Sequence, residues 1–457
     1  MAERPDLDWI AQVTGGRVRH PQRVELSGFS IDSRTLRPGE LFIALKGERT
    51  DGHLFLEEAF RRGASGALVS RDVENFHNII KVEDTAAALW ELARRWRDRF
   101  NIPIIGITGS AGKTTTKELL FAILEKRVRA YRAPGNYNTE YGLPLAILRM
   151  PLSTDVGVFE LGLRRPGEVG RLAELLRPTV GVITNVGDAH LGFFRDREEL
   201  AESKWALIER LPQDGLALLH YDSPYLRRRM EGLERAVTFG TAEAADYRAT
   251  EPDDTSLEGL RFAMSSPRGS LRVKSRLLGR FNVHNILAAA AAALELGASM
   301  KNIREAVAEF RPFPHRMELR RSPIGLLIDD SYNANPSSTK GALTALARLR
   351  TRRRKAFVFG DMLELGEGAI EAHRGIVKAI DGLGLDMVFT LGELAGETGR
   401  ALLERGWGER VLTASSMDEL EKALLSRLDD DRNLVLVKGS RAMELDRLVE
   451  AIVHAAG

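Results

Sequence analysis

Short apolar runs alternate with segments of helical periodicity along most of the chain, a pattern typical of α/β proteins with largely parallel sheets. In the first block, residues 41–45 are a strand candidate, 54–62 a helix candidate and 86–99 a longer helical stretch. The Asn-Ile-Pro segment at 101–103 interrupts that helix, because a residue before proline disfavours helical backbone. The pattern therefore predicts a small first α/β domain over residues 1–98.

The second block begins with an apolar strand candidate at 104–107 and continues with strand candidates at 156–161 and 181–185. Residues 218–273 contain further strand-like segments separated by polar turns, and residues 285–296 form a helix candidate made almost entirely of alanine and leucine. A helix that is apolar on all sides is expected to be buried. We predict a central domain with a parallel sheet over residues 99–311.

The third block follows Pro312 and Pro314, and its strand candidates at 326–328, 356–359, 387–391 and 434–437 alternate with helical segments. Alternating strands and helices of this length predict a Rossmann-like domain over residues 312–457. The expected fold is thus α/β with three domains.

Composition narrows the class of protein. The chain has 457 residues, with 66 Lys and Arg against 64 Asp and Glu, so its charge of +2 gives no reason to expect a nucleic-acid partner. It contains no cysteine, which excludes disulfides, thiolate metal sites and thiol nucleophiles. The amino-terminal segment is charged and the longest apolar run, 286–294, is too short to span a bilayer. A cytoplasmic protein without membrane insertion is expected.

A glycine-rich segment, Gly-Ile-Thr-Gly-Ser-Ala-Gly-Lys-Thr-Thr at 106–115, lies between an apolar strand candidate and a helical segment. Glycines let backbone N–H groups converge on phosphate oxygens, and the helix start adds the positive end of its dipole. Lys113 is placed to bridge terminal phosphates and the Thr114 hydroxyl to bind Mg²⁺, although Ile107 stands where the general motif has glycine. The segment predicts a nucleotide site. A turn that binds nothing is the alternative, and phosphate binding alone does not distinguish a switch, motor, kinase or ligase.

Residues 108–118, Thr-Gly-Ser-Ala-Gly-Lys-Thr-Thr-Thr-Lys-Glu, resemble the ATP loop of the Mur ligases, the amide-forming enzymes of peptidoglycan precursor synthesis. Other segments resemble this family in the same order, which is far more specific than any one motif. They are residues 136–144, 159–162, 185–191, 201–204, 282–285, 329–336 and 360–366.

The resemblance implies ATP and Mg²⁺ as ligands and CO₂ bound as a lysine carbamate. The ATP contacts that it implies are Thr108, Gly109, Ser110, Ala111, Gly112, Lys113, Thr114, Thr115, Asn282, Arg316, Asp330 and Asn333. The implied metal ligands are Thr114, Glu160, His190 and carbamylated Lys204, and the implied catalytic residues are Lys113, Glu160, His190 and Lys204. Carbamylation reverses the charge of a lysine, which explains how a lysine can stand in a site for a cation.

Taken singly, several of these residues also fit ordinary structural roles. Lys204 could be an ordinary surface lysine and His190 a polar loop histidine. Asp330 and Asn333 could form a turn, and Arg316 could belong to a solvated cluster with Arg320 and Arg321. Glu160 ends an apolar strand, where a lone acid is uncommon and the carboxyl edge of a parallel sheet forms the ligand crevice.

The amino-terminal segments at 32–34, 39–47 and 51–53 resemble the domain with which members of this family bind a UDP-linked sugar. The contacts to the UDP substrate that follow from the resemblance are Ser33, Arg34, Lys46, His53, Asn138 and Thr139.

Within the family, residues 330–336 and 437–444 resemble the member that adds a terminal dipeptide. This implies UDP-N-acetylmuramoyl-tripeptide and D-alanyl-D-alanine as substrates, contact of Asn333 and Asn335 with the dipeptide, and ATP-dependent amide formation through an acyl phosphate. Two alternatives stay open: a ligase of the same superfamily for another carboxylate and amine, and a nucleotide-controlled binding protein. A monomer is expected.

Overall fold

The computed structural model describes residues 5–47, 50–233, 235–428 and 430–455, which form three sheets in successive parts of the chain. The sheets have five, nine and six strands. The predicted α/β class with three domains is confirmed, whereas the bounds at 98/99 and 311/312 stay predictions. Within the described ranges, no helix is both long and apolar enough to cross a membrane.

The first sheet has the order β1-β5-β4-β3-β2, and only β1 runs antiparallel to its neighbour. Its strands are β1 (Val18–Arg19), β2 (Gly28–Ser30), β3 (Glu40–Ile43), β4 (Gly66–Val69) and β5 (Ile79–Lys81). Its helices are α1 (Leu7–Thr14), α2 (Leu56–Arg61) and α3 (Thr85–Arg97), with a 3₁₀ turn at Gly52–Phe55. The helix candidate at 54–62 is therefore a 3₁₀ turn followed by a short α-helix.

Helix α3 joins the first domain to the central one. It begins where the Asp84 carboxylate accepts hydrogen bonds from two helical N–H groups. Near its other end, the buried Trp96 donates Nε1–H to the carbonyl of Met150 at 3.0 Å, and Arg97 donates Nε–H to the carbonyl of Leu176 at 2.7 Å.

The central sheet has the order β14-β13-β12-β11-β10-β9-β6-β8-β7. Its strands are β6 (Ile104–Thr108), β7 (Ala130–Arg132), β8 (Val156–Glu160), β9 (Val180–Ile183), β10 (Leu216–His220), β11 (Ala236–Gly240), β12 (Tyr247–Ser256), β13 (Gly259–Ser266) and β14 (Gly269–Ser275). The seven strands β6 to β12 run parallel to their neighbours, as predicted. Strands β13 and β14 extend the sheet beyond β12 and are antiparallel, joined by tight hairpins.

In the described part of the chain, seven α-helices accompany this sheet, and the alanine-rich one is buried as predicted. They are α4 (Lys113–Leu124), α5 (Gly142–Leu148), α6 (Glu168–Leu176), α7 (Arg197–Trp205), α8 (Pro224–Met230), α9 (Phe281–Glu295) and α10 (Met300–Glu309), with 3₁₀ turns at Leu191–Phe193 and Ile208–Arg210. Helix α9 begins four residues before its predicted start, and its alanines pack in the core against α4 and the sheet.

The third sheet has the order β15-β16-β20-β17-β18-β19, parallel except for β15. Its strands are β15 (Glu318–Ser322), β16 (Gly325–Asp330), β17 (Arg354–Gly360), β18 (Met387–Leu391), β19 (Val411–Ala414) and β20 (Asn433–Lys438). Its helices are α11 (Pro336–Arg348), α12 (Ala369–Arg374), α13 (Val377–Ile380), α14 (Glu393–Glu404), α15 (Met417–Arg427) and α16 (Leu445–His454), with 3₁₀ turns at Gly366–Gly368, Gly408–Arg410 and Arg441–Met443. Apolar clusters cover both faces of the sheet, as in a Rossmann-like domain.

Candidate active site

The loop between β6 and α4, residues 109–112, is referred to below as the phosphate loop. Gly109 and Gly112 have φ angles of 151° and 82°, which side chains rarely tolerate. Asn185, which follows β9, accepts a hydrogen bond from the N–H of Ala111 at 2.9 Å and fixes the loop from outside. Lys113 turns back over the loop and donates to the carbonyl of Gly109 at 2.7 Å. The glycines, the helix start and the lysine thus have the arrangement of a phosphate cradle.

Glu160, the last residue of β8, connects three parts of the chain. Its Oε2 accepts a hydrogen bond from the Thr114 hydroxyl at 2.9 Å, and its Oε1 accepts one from the Asn138 amide at 2.8 Å. Arg316, from the junction with the third domain, donates to the Thr114 hydroxyl at 3.1 Å, and its guanidinium lies 4.0 Å from the centre of the Tyr332 ring. Hydroxyl and carboxylate oxygens therefore stand beside the phosphate loop, where a hard cation would bind.

His190 lies in the loop after β9 with a left-handed backbone, φ 62°. Its Nδ1 is 2.8 Å from Oε2 of Glu364, a residue of the third domain, and Arg164 contacts the other carboxylate oxygen at 3.3 Å. Burial lowers the pKa of His190, and the positive charge of Lys113 adds to that effect, whereas Glu364 opposes it. Burial therefore favours the neutral ring, and with Nδ1 directed at Glu364 it is Nε2 that faces away from this carboxylate.

Lys204 is buried in α7, with only 1% of its surface exposed. This excludes the surface-lysine interpretation. No carboxylate of the described residues forms an ion pair with it, and burial together with the charge of Lys113 lowers its pKa well below the usual value. Burial also lowers the pKa of Lys113, with Glu160 opposing. The two lysines thus lie close enough for their charges to interact, and both charges also act on His190.

At the carboxyl end of the third sheet, the buried Lys438 forms an ion pair with Asp330, whose side chain is 15% exposed to the cavity. Lys438 Nζ lies 2.5 Å from Asp330 Oδ2 and donates to the carbonyl of Asn333 at 2.9 Å. Burial raises the pKa of Asp330, and the lysine charge opposes this. Asn335 caps α11 by accepting from the N–H of Ser338 at 2.9 Å, so its side-chain oxygen already has a structural role.

One cavity of about 950 Å³ lies between the central and third domains and is also bordered by Trp90 of α3. Most of the predicted ATP, metal and dipeptide residues line it, together with Asn138 and Thr139, the two predicted UDP-substrate contacts of the central domain. These are Ser110, Ala111, Gly112, Lys113, Thr114, Thr115, Asn138, Thr139, Glu160, His190, Asn282, Arg316, Asp330, Asn333 and Asn335. Thr108, Gly109 and Lys204 are not among the lining residues: Thr108 ends β6, Gly109 begins the phosphate loop, and Lys204 is buried in α7.

The four predicted UDP contacts of the first domain do not line this cavity. Ser33 is buried and donates to Glu58 at 2.8 Å, while Arg34 is exposed and paired with Asp32. Lys46 is exposed beside residues 48 and 49, which lie outside the described part of the chain.

His53 uses both ring nitrogens within its own domain. Nδ1 lies 2.6 Å from Asp51 Oδ1, and Nε2 accepts from the N–H of Ser70 at 2.9 Å. The ring therefore holds two loops of the first domain together, and its contact with a UDP substrate stays a prediction.

Three residues of the site had no role in the sequence interpretation. Glu364 and Lys438 fall within segments that carried the family resemblance, but no pattern showed that they contact His190 and Asp330. Arg164 forms an ion pair with Glu364, and no sequence pattern indicated that it belongs to the site.

Three family models match the chain in order: the Mur ligase family catalytic domain at residues 25–97, the Mur ligase middle domain at 107–293, and the Mur ligase glutamate ligase domain at 315–441. The UDP-N-acetylmuramoyl-tripeptide--D-alanyl-D-alanine ligase of Bacillus subtilis (strain 168) is 34% identical over 452 residues, which cover 98% of each chain.

Solved structures of ligases also superpose on nearly the whole chain. MurF from Acinetobacter baumannii superposes with a TM-score of 0.86 at 29% identity, covering 97% of both chains. The MurF ligase from Thermotoga maritima, solved in complex with ADP, superposes with a TM-score of 0.79 at 31% identity, covering 93% of this chain and 96% of that one.

Proposed function

The chain belongs to the Mur ligase family, and we propose that it joins D-alanyl-D-alanine to UDP-N-acetylmuramoyl-tripeptide in an ATP-dependent reaction of peptidoglycan precursor synthesis. The likeness to ligases of that name over nearly the whole chain carries the proposal. The cavity supports it, since the phosphate loop, Glu160 and His190 meet Arg316 and Asp330 of the third domain there.

The chemistry requires activation of a carboxylate, which is a poor electrophile. Transfer of the γ-phosphoryl group of ATP to the tripeptide carboxylate gives an acyl phosphate and ADP. The dipeptide amine then attacks the acyl carbon, forms the amide and expels inorganic phosphate. Negative charge spreads over the phosphoryl oxygens during the first step, so cations and N–H groups must already be in place. Lys113, the phosphate loop and Arg316 supply them.

The residues around Glu160 fit a magnesium ion. Thr114 and Glu160 offer oxygen donors, which Mg²⁺ prefers. The Nδ1 of His190 is occupied by Glu364, the orientation that leaves Nε2 for a metal. Magnesium, when bound there, would neutralise phosphoryl charge and polarise the transferred group. We assign Thr114 and Glu160 to one ion, and His190 with carbamylated Lys204 to another.

The surroundings of Lys204 support a carbamate. A buried ammonium without an ion-pair partner is costly, so the neutral amine is favoured. Only the neutral amine adds CO₂, forming an N–C bond and releasing one proton. The resulting anion would offset the charge of Lys113 and offer oxygen atoms to a cation.

Carbamylation can be tested directly by ¹³C NMR of protein equilibrated with ¹³C-bicarbonate. We expect one carbamate signal in the unaltered chain that is absent from Lys204→Ala. Lys301→Ala, which removes a lysine with an 80% exposed side chain, is the matched control and should keep the signal. If Lys204→Ala and Lys301→Ala gave the same spectrum, the carbamate at Lys204 would be ruled out, whereas the proposed ligase reaction would be unaffected.

The third domain is assigned to the dipeptide. Asn333 lines the cavity, and its carbonyl holds Lys438, so the pair Asp330–Lys438 fixes the segment that faces the central domain. Asn138 and Thr139 line the same cavity from the central domain and are assigned to the UDP-linked substrate. Ser33, Arg34, Lys46 and His53 stay candidate contacts to the same substrate on the first domain.

The test is phosphate release combined with product mass, using Mg-ATP, UDP-N-acetylmuramoyl-tripeptide and D-alanyl-D-alanine. Each component is omitted in turn. We expect release only with all three, and a product heavier by one dipeptide less one water. Phosphate release with another carboxylate and amine, but not with this pair, would overturn the substrate assignment and keep the ligase mechanism. ATP binding without ligation of any pair would favour a nucleotide-controlled binding protein.

A further inference from the structure

A group of two histidines and an aspartate, side chains of the kind that bind metal ions, lies outside the cavity. His220 is the last residue of β10, Asp222 follows two residues later, and His284 belongs to the first turn of α9. One ligand atom from each lies within 4.8 Å of the other two. None of the three residues lines the cavity described above.

The separations suit a single small cation. His284 Nε2 lies 3.2 Å from Asp222 Oδ2, and His220 Nε2 lies 3.7 Å from the same oxygen. Around tetrahedral zinc, with bonds near 2.0–2.1 Å, neighbouring ligand atoms are about 3.3 Å apart. In the structure His284 Nε2 is hydrogen-bonded to Asp222 Oδ2, and the three ligand atoms lie within 4.8 Å of one another. Binding one ion therefore requires the imidazole rings to replace this hydrogen bond and move closer together.

The Asp222 carboxylate is held in place by the loop after β11. Its Oδ2 accepts from the N–H and hydroxyl of Thr241 at 2.7 and 2.9 Å, and its Oδ1 accepts from the N–H of Ala242 at 3.0 Å. Metal-binding carboxylates are commonly oriented by hydrogen bonds of this kind.

His220 provides an independent observation that points to a ligand. Its ring stacks on Phe239 with 5.4 Å between centres and lies 4.3 Å from the ring of His284. Both of its ring nitrogens are buried without a hydrogen-bond partner among the described residues. Nε2 faces the Asp222 carboxylate at 3.7 Å, which is longer than a hydrogen bond. Because buried polar atoms are nearly always hydrogen-bonded, a metal ion between the two groups would supply the missing partner.

We propose that His220, Asp222 and His284 bind one transition metal ion, with zinc the ion that their chemistry favours. Two imidazoles and a carboxylate suit Zn²⁺, whereas Mg²⁺ prefers oxygen donors. A water molecule completes the coordination. The ion joins the ends of β10 and β11 to α9, which also carries Asn285 against Gly112 of the phosphate loop. The site is thus structural and does not depend on the identity of the ligase substrates.

The full chain, stripped of metal and kept in excess Mg²⁺, is titrated with Zn²⁺ by calorimetry, and with Co²⁺ while visible absorption is recorded. We expect one zinc ion per chain and cobalt bands typical of a low-coordinate site. His220→Ala and His284→Ala should each bind zinc at least about 100-fold more weakly, since losing an outer-shell partner alone costs 10–100-fold. His454→Ala, which removes a histidine with a 77% exposed side chain, is the matched control and should bind as the unaltered chain does.

His284 is partly exposed on a helix, so its variant is expected to fold and decides the question if His220→Ala does not. Circular dichroism checks folding in each case. The proposal would be overturned if the unaltered chain bound no stoichiometric zinc, or if His284→Ala bound zinc as tightly as the unaltered chain. Zinc binding that is lost in His190→Ala but kept in His284→Ala would assign the ion to the cavity instead and would also overturn it.

Discussion

Replacing Glu364 tests whether the third domain orients a metal ligand of the central domain. Its carboxylate lies 2.8 Å from His190 Nδ1, across 174 residues of sequence. If His190 binds metal through Nε2, Glu364 completes a carboxylate–histidine–metal arrangement, whose disruption typically lowers activity 10–100-fold. The Glu364 side chain is 35% exposed, and its carboxylate also contacts Arg164. We therefore expect Glu364→Ala to lower activity by the lower part of that range, about 10-fold, or 1.4 kcal/mol of transition-state stabilisation.

The assay is steady-state phosphate release for Glu364→Ala and Glu364→Gln, with kcat and KM followed from pH 5 to 9. On the assignment of His190 as a metal ligand, the neutral ring is the competent form, so activity falls as the pH decreases through its pKa. That pKa lies below the usual value, and the Glu364 charge holds it up. Removing the charge lowers it further, so the acid limb of the profile moves to lower pH in both variants. Glutamine can still accept the Nδ1–H, so Glu364→Gln should lose less activity than Glu364→Ala.

Glu367→Ala is the matched control, because Glu367 is an exposed acid three residues away that is not assigned to the site. It should leave both kcat and the acid limb unchanged. An unchanged acid limb in the Glu364 variants would mean that the carboxylate does not act through His190. Activity of Glu364→Ala within twofold of the unaltered chain would refute the positioning role altogether.

Three further changes test the cavity. Lys113→Ala should abolish measurable phosphate release with an unchanged circular dichroism spectrum, and near-normal turnover would contradict the phosphate assignment. Gly112→Ala should weaken ATP binding measured by calorimetry, because alanine at φ 82° is strained and its Cβ would lie 2.1 Å from Asn285 Oδ1. Lys438→Met leaves Asp330, whose side chain is 15% exposed, without its cation and should lower the free energy of unfolding in urea by about 3 kcal/mol, the lower end for a buried pair. A loss below about 1 kcal/mol would show that the pair behaves like an exposed one.

Much of the fold and the core of the site could be predicted because their determinants are local. The phosphate loop is contiguous, and its glycines have the positive φ angles that the motif requires. Glu160 ends a parallel strand next to β6, so sheet topology alone brings it beside the loop. The antiparallel extension by β13 and β14 was less accessible, since a periodicity of two does not report strand direction.

The environment of Lys204 could not be predicted from its helix. Its neighbours along α7 include Glu202 and Trp205, a pattern equally compatible with a surface position. Burial follows from packing against elements that are distant in sequence, and only this packing brings its charge close to that of Lys113. For His53 the family resemblance predicted contact with the UDP substrate. In the structure, both ring nitrogens form hydrogen bonds within the first domain, to Asp51 and Ser70.

Two contacts of the third domain end on residues assigned to metal in the central domain. Arg316 reaches the Thr114 hydroxyl across 202 residues of sequence, and Glu364 reaches His190 across 174. Each of these contacts needs the third domain in place. On the proposed assignments, positioning the domain that binds the amine and orienting the metal ligands are therefore one structural event. A ligase benefits from this coupling, because an acyl phosphate formed before the amine site is in place would be exposed to hydrolysis.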